Sequence, residues 1–494
     1  MYYSTSRKSH IYITDILRFV PKVYLCQKYK KMQSYQEFLD LSVGFPQDGF
    51  EIIDDELYFH DLNLMEMIET YGTPLRFTYL PIISKKIQQA KILFQTAILK
   101  HNYRGSYKYC YCTKSSHFRH VVEEALKNDI HLETSSAFDM PMIDAMEKKG
   151  IVTKDITVIC NGFKTYQYKQ YIIDMLHDGY KNIIPVLDNK EEFNLYDDEV
   201  ELEEPCNLGI RIAAEEQPDS PFYTSRLGIR LEDVLDFYNS KIVTNPNFKV
   251  KLLHFFINSG ISDTPYYWTE LEKYVTLYCK FKKINPDLDT LDIGGGMPFK
   301  DSLVHDFDYE YMVNEIVNRI KQICAVHEVM EPDIITEFGK YTVAEASGIL
   351  YKVIGRKQQN DREKWLMLDG SFITNLPDVW ALNQKYILLP INNWDSEYER
   401  VNLGGITCDG QDYYSQEAHI NSVFMPKTRK LQYLGFFHTG AYQEVLSGYG
   451  GIHHCLLPSP KHVLVRRNRD ETFNFEVFGE EQNSKQVLRL LGYQ

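Results

Sequence analysis

The chain has 494 residues, of which 44% are apolar, and a net charge of −14 at pH 7. That length suits a barrel of about 250 residues plus a second domain, and the negative charge argues against nucleic acid or an anionic membrane surface as a general partner. No apolar run reaches the roughly 18 residues that would cross a membrane. The nine cysteines include no C-x-x-C pair, which indicates free thiols in a reducing cytoplasm.

The first 31 residues carry seven lysines and arginines against one acid, Asp15. This basic, acid-poor composition is typical of a transit peptide, and equally of a disordered extension or of a start codon placed too early. A helical start follows Met32, so we expect residues 1–31 to be a disordered, dispensable extension. Residues 32–71, which include a predicted strand at 51–61, are expected to join a β domain further along the chain.

From residue 72 the apolar pattern alternates between short strands and amphipathic helices. The predicted strands are 75–79, 107–112, 130–134, 156–160, 182–186, 208–212, 251–257, 288–293 and 333–336. The predicted helices include 82–99, 117–128, 139–148, 167–178, 267–281 and 309–326. Eight or so strands that alternate with helices indicate a parallel (β/α)8 barrel, not an open sheet, over residues 72–345.

After about Ala346 the helices thin out and short β-rich runs follow one another. The runs are 348–356, 365–369, 386–390, 400–404, 431–437, 462–467 and 472–478. Strands at this spacing predict a separate C-terminal β-rich domain over residues 346–494.

Lys114 stands at the end of the predicted strand 107–112, just before the helix 117–128. In α/β barrels the chemistry is carried at the carboxyl ends of the strands. A lysine there can form a Schiff base with a carbonyl compound when burial partly deprotonates its amine. Taken alone, the segment favours a solvated lysine at a strand end, so this assignment depends on the rest of the chain.

Two further strand ends carry residues that suit the same chemistry. The strand 288–293 ends in the triple glycine 294–296, and consecutive glycines let backbone amides approach an anion such as a phosphate. Glu337 follows the strand 333–336, where a carboxylate could bind a pyridine nitrogen and keep it protonated. Each signal is weak alone, because a triple glycine is often a flexible turn and such a glutamate is often a cap or a salt-bridge partner.

With Lys114, the triple glycine and Glu337 all at strand ends, the chain resembles a family. It is similar to the pyridoxal 5′-phosphate-dependent decarboxylases that act on ornithine, diaminopimelate and, in biosynthesis, arginine. The resemblance covers residues 49–468 and rests also on Gly339, Lys340 and two motifs, 405–412 and 440–442. It implies an alanine-racemase-like (β/α)8 TIM barrel with a C-terminal β domain, bound pyridoxal 5′-phosphate and an amino-acid substrate. It also implies a homodimer or higher homo-oligomer with shared active sites. We expect no metal-binding residues in the site, and the sequence leaves open whether Mg2+ is required.

The resemblance gives each matched position a role. Lys114 would hold the cofactor covalently, and Cys408 would handle the proton delivered to the substrate. The other cofactor contacts would come from Glu133, Arg211, His254, Phe256, Ser259, Gly294, Gly295, Gly296, Glu337, Gly339, Lys340 and Tyr442. The distal cation of the substrate would be bound by Asp378, Asp409 and Asp412, with Asp409 supplied across the dimer interface. The alternative interpretation, without the resemblance, is that each of these acids is a loop or cap residue and that Cys408 is a buried thiol.

Two positions depart from the family pattern. Phe256 stands where the family has a histidine stacked on the cofactor ring, and phenylalanine can stack but cannot donate a hydrogen bond. His254, two residues earlier on the same strand face, either compensates or is an ordinary core histidine. Lys340 stands where the family usually has arginine, so it offers charge to a phosphate without the bidentate fork.

The segments 159–164, 376–382 and 435–444 most resemble arginine decarboxylases. We therefore predict that the chain converts L-arginine to agmatine and CO2, a step of polyamine biosynthesis. Its length is closer to that of ornithine and diaminopimelate decarboxylases, which are the alternatives. A racemase would share the barrel, Lys114 and the glycine loop but not the Cys408–Asp409 block, and a non-catalytic regulator would lose cofactor contacts that this chain keeps.

Overall fold

In the computed structural model, the described part of the chain comprises residue 39 and residues 44–47, 49–197, 204–214, 223–418 and 420–493. The extension predicted for residues 1–31 lies outside these residues. Among the described residues, no helix is both long enough and apolar enough to cross a bilayer.

The first four strands precede the barrel in the chain. An antiparallel three-stranded sheet is formed by β1 (Phe50–Ile53), β2 (Glu56–Phe59) and β3 (Leu62–Asn63). The helix Leu64–Tyr71 follows, and its first turn is capped by the Asn63 side chain, which accepts hydrogen bonds from two backbone N–H groups. The next strand is β4 (Leu75–Tyr79).

Eight parallel strands then close into a barrel, which confirms the predicted fold class. They are β5 (Tyr107–Cys112), β6 (His131–Thr134), β7 (Val158–Cys160), β8 (Ile183–Leu187), β9 (Cys206–Ile212), β10 (Phe248–Phe255), β11 (Thr290–Asp292) and β12 (Asp333–Phe338). Each strand pairs with the next one in the chain, and β12 pairs with β5 to complete the ring. The carboxyl ends of all eight strands therefore meet at one mouth of the barrel.

One helix precedes the first barrel strand, and the other helices connect the barrel strands. They are Pro81–Lys100, Arg119–Leu126, Asp139–Glu147, Tyr166–His177, Asn194–Asp197, Val234–Phe237, Pro265–Ile284 and Tyr309–Val326. Local sequence sets several of their starts, because the side chains of Thr165, Thr264 and Asp308 each accept a hydrogen bond from a backbone N–H of the following turn.

The inside of the barrel has an apolar layer with a polar layer above it. The apolar layer is a buried cluster of Cys110, Ile159, Val186, Leu252 and Ile335. Because side chains alternate along a strand, the residues two positions further on also point inward, nearer the carboxyl ends. Those residues are polar and buried, and they are Cys112, Asn161, Asp188, His254 and Glu337. The mouth of the barrel thus has a buried polar floor.

The second domain is built around a ten-stranded sheet. Its later strands are β13 (Ser347–Gln358), β14 (Lys364–Leu368), β15 (Ile387–Pro390), β16 (Tyr398–Gly404), β17 (Tyr413–Tyr414), β18 (Val423–Pro426), β19 (Tyr433–Phe437), β20 (Lys461–Arg467) and β21 (Phe473–Gly479). The helices after the barrel are short, and they are Lys340–Val343, Phe372–Asn375, Pro377–Leu382, Gln443–Leu446 and Ser484–Leu490. The N-terminal sheet packs on this domain, where Phe50 meets the ring of Phe437 edge-on at 5.0 Å between centroids.

Strand β4 belongs to the second domain, whereas the sequence analysis placed it in the barrel. The alternating pattern places residues 75–79 in the barrel, but β4 pairs antiparallel with β13 and parallel with β20. All five residues of β4 are buried, including the polar Arg76 and Thr78, so burial fits a barrel strand and an inner strand of the second sheet equally well. Only the pairing distinguishes the two, and the barrel is complete without β4.

Candidate active site

A cavity of about 740 Å3 opens at the carboxyl ends of the barrel strands. Twelve of the residues predicted to contact a cofactor line it: Lys114, Glu133, Arg211, His254, Phe256, Ser259, Gly295, Gly296, Glu337, Gly339, Lys340 and Tyr442. Gly294 is not among the lining residues, but its backbone N–H donates a 2.8 Å hydrogen bond to Asp292 Oδ1 in the floor. Residues from both domains therefore meet in one concave site.

Lys114 lies in a short turn that directly follows β5, and its Nζ donates a hydrogen bond to Glu133 Oε2. Asn161 Nδ2 extends this contact, donating to Glu133 Oε1 at 3.1 Å and to Glu337 Oε1 at 2.7 Å. Burial disfavours the ammonium, but the acidic groups of Cys112, Glu133 and Glu337 outweigh it and raise the pKa of Lys114 well above its ordinary value. In this state the lysine is a charged amine paired with Glu133, and 40% of its side chain is exposed.

His254, Asp292 and Glu337 form a buried cluster in the cavity floor. His254 Nδ1 lies 3.4 Å from Asp292 Oδ2 and 3.9 Å from Glu337 Oε1. Burial lowers the pKa of His254 to about 4 and raises that of Asp292 to about 7. Burial and the neighbouring Asp292 also raise the pKa of Glu337 well above its ordinary value. The imidazole is therefore neutral near pH 7, and the two acids favour retaining a proton.

The triple glycine packs too closely for any side chain. A Cβ on Gly295 would lie 2.5 Å from the carbonyl oxygen of Glu337, and one on Gly296 would lie 2.8 Å from Cα of Gly260. Gly296 also has φ +94°, a conformation that favours glycine. The loop therefore brings backbone to the edge of the cavity, next to Ser259 and Lys340, where an anion can be held.

The donor set and shape of the cavity fit pyridoxal 5′-phosphate. A lysine amine opens to the cavity, a glycine loop offers backbone to a phosphate, and the floor holds a buried acid for a ring nitrogen. Three buried polar atoms of the floor, His254 Nδ1, Asp292 Oδ2 and Asn161 Oδ1, have no hydrogen-bond partner within the described chain. Buried polar atoms normally have partners, so these atoms are consistent with a site built for a ligand.

The family model for the pyridoxal-binding domain of pyridoxal-dependent decarboxylases matches residues 86–344, more than half of the chain. The chain belongs to the pyridoxal-dependent decarboxylases. This confirms the family and the enzyme class predicted from the sequence. The matched range begins inside the first long helix and ends just after β12, so it covers nearly all of the barrel.

Relatives of this decarboxylase are similar over most of their length. The biosynthetic arginine decarboxylase of Prochlorococcus marinus (strain MIT 9215) is 20% identical, over 85% of this chain and 83% of the relative. The crystal structure of the biosynthetic arginine decarboxylase of Campylobacter jejuni has a TM-score of 0.76 and 18% identity, covering 92% of this chain and 90% of the other. The diaminopimelate decarboxylase of M. jannaschi has a TM-score of 0.74 and 17% identity, covering 90% and 97%. The structures share the fold of this decarboxylase.

Tyr442 reaches the decarboxylase cavity from the second domain. Its backbone has φ +68°, and its N–H donates a 2.8 Å hydrogen bond to the carbonyl of Ser115, next to Lys114. A left-handed conformation is strained for tyrosine, and such strain persists where the surroundings fix it. Burial raises the pKa of the Tyr442 phenol to about 12, so it remains a hydrogen-bond donor at physiological pH.

Three predicted residues, Cys408, Asp378 and Asp409, are not among the residues that line the cavity of their own chain. Cys408 is exposed, which contradicts its alternative interpretation as a buried thiol. Asp409 is half-buried and accepts a 2.7 Å hydrogen bond from the Gln411 N–H. Asp378 is buried and accepts a 2.7 Å hydrogen bond from Gln443 Nε2, directly beside Tyr442.

Asp412, the third acid predicted to bind substrate, also lies outside the cavity of its own chain. Its side chain is buried, and its Oδ1 accepts hydrogen bonds from the backbone of Phe372 (2.8 Å) and Ile373 (3.3 Å). Its Oδ2 accepts from Thr407 Oγ1 at 2.7 Å and from the Thr407 N–H at 3.3 Å. The carboxylate therefore fixes the loop that carries Cys408, which is the alternative role of a loop or cap residue.

Three residues of the site have no role in the sequence analysis: Asn161, Asp292 and Gly260. Asn161 directly follows the buried strand β7, and Asp292 ends the buried strand β11. Both residues could have been found from the sequence, because a polar residue at the carboxyl end of a buried barrel strand indicates a site residue. Gly260 directly follows Ser259, but only the contact with Gly296 shows why it is glycine.

Proposed function

We propose that this decarboxylase converts L-arginine to agmatine and CO2 with pyridoxal 5′-phosphate held on Lys114. The observation that carries the chemistry is the hydrogen-bonded series from Lys114 through Glu133 and Asn161 to Glu337. It places an amine and an acid for a pyridine nitrogen in one cavity beside a glycine loop. The names of the relatives and the resemblance of 376–382 and 435–444 to arginine decarboxylases support arginine as the substrate.

All the predicted cofactor contacts except Gly294 line the cavity, which supports the roles that we assign to them. Lys114 supplies the amine, Glu133 holds that amine, and Glu337 is placed for the ring nitrogen. The phosphate is assigned to Ser259, Gly294, Gly295, Gly296, Gly339, Lys340 and Tyr442, and the ring environment to Arg211, His254 and Phe256. When bound, the cofactor supplies an electron-accepting ring for the electron pair that remains when CO2 leaves.

The protonation states of the side chains in the cavity floor support this assignment. A protonated ring nitrogen makes a better electron acceptor, so the acid opposite it must be able to share a proton. The raised pKa values of Glu337 and Asp292 keep such a proton in the floor near neutral pH. His254 stays neutral there, so it adds no positive charge that would compete with a protonated ring. We assign His254 to the site and Phe256 to the cofactor face.

We infer a homodimer in which each site takes Cys408 and Asp409 from the partner subunit. Both residues lie outside the cavity of their own chain, on a loop that Asp412 holds firmly. A cationic substrate requires an acid near its distal end, and a guanidinium binds a carboxylate with two hydrogen bonds. Asp378 and Asp409 are the acids assigned to this role. The eight described cysteines are free, which agrees with the proposed cytoplasmic location.

Arginine should be turned over faster than ornithine, lysine and meso-diaminopimelate when CO2 release and amine products are measured side by side. Diaminopimelate carries a distal carboxylate, which Asp409 would repel. Asp409→Asn should lower kcat/KM for arginine by roughly 30- to 5,000-fold, because losing one partner of a desolvated charge costs about 2–5 kcal/mol.

The matched control for that experiment is Asp361→Asn, an exposed acid in the turn between β13 and β14, which should leave kcat/KM unchanged. Faster turnover of ornithine or diaminopimelate would contradict arginine as the substrate and leave the decarboxylase class intact. An inverted stereocentre without CO2 would identify a racemase, and no reaction with any of the four would support a non-catalytic regulator.

Mixing Lys114→Ala protein with Cys408→Ala protein should restore activity. Each heterodimer then contains one site with both native residues, so equal mixing should recover about a quarter of wild-type activity after subunit exchange. The control mixes Lys114→Ala with the double variant Lys114→Ala/Cys408→Ala, which cannot form a native site. Absence of recovery after proven exchange would show that each subunit builds its own site.

A further inference from the structure

Cys408 has a second thiol in contact with it. Its Sγ lies 3.4 Å from the Sγ of Cys455, 47 residues further along the chain. These two are the exposed members of the eight described cysteines, and the other six are buried. The family resemblance gives Cys455 no role, and the loop of residues 453–457 does not line the cavity. Two exposed thiols from separate loops are thus held side by side.

The surroundings of the pair make the two thiols unequal. His454 Nδ1 lies 3.1 Å from Cys455 Sγ, within reach to take the thiol proton or to stabilise a thiolate. Contact with Cys455 raises the pKa of Cys408. Because His454 lies beside Cys455, we assign Cys455 as the nucleophilic member of the pair and Cys408 as the resolving member.

We propose that Cys408 and Cys455 are an intrachain dithiol site that small-molecule disulfides oxidise, and that this oxidation removes Cys408 from catalysis. The effect of oxidation on catalysis rests on the proposed function, in which the active site of the partner subunit uses Cys408. The sulfurs must approach by only roughly 1–1.5 Å to reach bonding distance. The arrangement needs no residue from another chain for the bond itself.

The chemistry balances with one disulfide as the oxidant. The Cys455 thiolate attacks one sulfur of the disulfide RSSR, forming a mixed disulfide and releasing the first RS⁻. The Cys408 thiol then loses its proton and attacks the Cys455 sulfur, which releases the second RS⁻. Two protein thiols are oxidised, one disulfide is reduced to two thiols, and the two protein protons end on the two leaving groups.

The oxidant has to be small, because in the proposed dimer Cys408 faces the cavity of the partner subunit. A disulfide no larger than the amino-acid substrate can follow the same route. The chain also contains a matched internal control, since Cys279 and Cys324 have their sulfurs 3.9 Å apart but are buried between two barrel helices. If a short distance between the sulfurs were sufficient, both pairs would be oxidised. Because the oxidant must also reach the sulfur, we expect only the exposed pair to react.

The test treats the reduced, cofactor-loaded full chain with 2-hydroxyethyl disulfide, blocks free thiols, and maps peptides without reduction. We expect a Cys408–Cys455 linked peptide, unmodified Cys279 and Cys324, and a monomer band on a non-reducing denaturing gel. Decarboxylation should fall roughly 100-fold, the scale of a lost proton-transfer group, and dithiothreitol should restore it. A disulfide-linked dimer band or an absent linked peptide would overturn the site.

Cys455→Ser separates this proposal from the proposed function. Without oxidant the variant should match the wild type, and with oxidant it should lose activity at least about tenfold more slowly, because the nucleophilic sulfur beside His454 is gone. Equal rates of inactivation would overturn the role of Cys455. If the linked peptide forms without loss of activity, the disulfide site stands and the catalytic role of Cys408 fails. If no link forms while Cys408→Ala is inactive, the dithiol site fails and the proposed function stands.

Discussion

Lys114→Ala should lower kcat/KM for decarboxylation by about 10⁴-fold or more, because the cofactor would lose its covalent anchor and Glu133 its cation. Lys114 lines the cavity and its Nζ donates a hydrogen bond to the carboxylate of Glu133. In the wild-type enzyme, borohydride reduction followed by peptide mapping should place the pyridoxyl group on Lys114. The same reduction of the variant should leave no labelled peptide from residues 107–116.

Two other lysines provide the controls for this labelling. Lys164 is fully buried, with its Nζ 2.9 Å from Glu192 Oε1, so it is not accessible to the cofactor. Lys340 lines the cavity at the start of the helix Lys340–Val343 and serves as the matched control. Lys340→Ala should weaken phosphate binding but leave the label on Lys114. A label on Lys340 or Lys164 in the wild type would show that the site is assigned to the wrong residue.

The barrel could be predicted because apolar residues are spaced differently in its strands and in its helices. Buried parallel strands give short apolar runs, and the helices between them repeat every three to four residues. The same pattern misplaced β4, since an inner strand of the second sheet is equally buried. Which partner a buried strand pairs with depends on long-range geometry, and no single sequence shows it.

The site could be predicted where a residue type is unusual at a strand end. Lys114, Glu337 and the triple glycine stand out in this way, and all but Gly294 line the cavity. Asp412 belongs to the same short block of sequence as Cys408 and Asp409, and only its four hydrogen bonds show that it fixes the loop. The contact of Cys408 with Cys455 joins two loops, so spacing along the chain gives no sign of it.

Glu337→Gln should lower kcat by roughly 10²- to 10⁴-fold, with a smaller change in the binding of substrate. Glutamine keeps an oxygen that can accept the hydrogen bond from Asn161, so the floor should still assemble. It cannot share a proton with a ring nitrogen, so the electron-accepting power of the cofactor should fall. The measurement is kcat and KM for CO2 release, together with the absorbance of bound cofactor.

The pH dependence of stability gives this variant a second, activity-independent readout. Burial raises the pKa of Asp292 to about 7 and that of Glu337 above its ordinary value. Between the unfolded and folded pKa values the folded state therefore binds more protons, and the free energy of unfolding falls as pH rises from about 4 to 7. Glu337→Gln removes one of these groups, so cofactor-free variant protein should lose less stability over this interval than the wild type.

Asp333→Asn is the matched control, because Asp333 lies at the opposite end of the same strand and accepts a 2.7 Å hydrogen bond from the Ser106 N–H. Residues at that end of a barrel strand affect stability and not chemistry. The control should lower Tm while leaving kcat unchanged, whereas Glu337→Gln should lower kcat without lowering Tm near pH 7. If Glu337→Gln keeps kcat close to the wild-type value, Glu337 is not the partner of the ring nitrogen, and Asp292 becomes the acid to test.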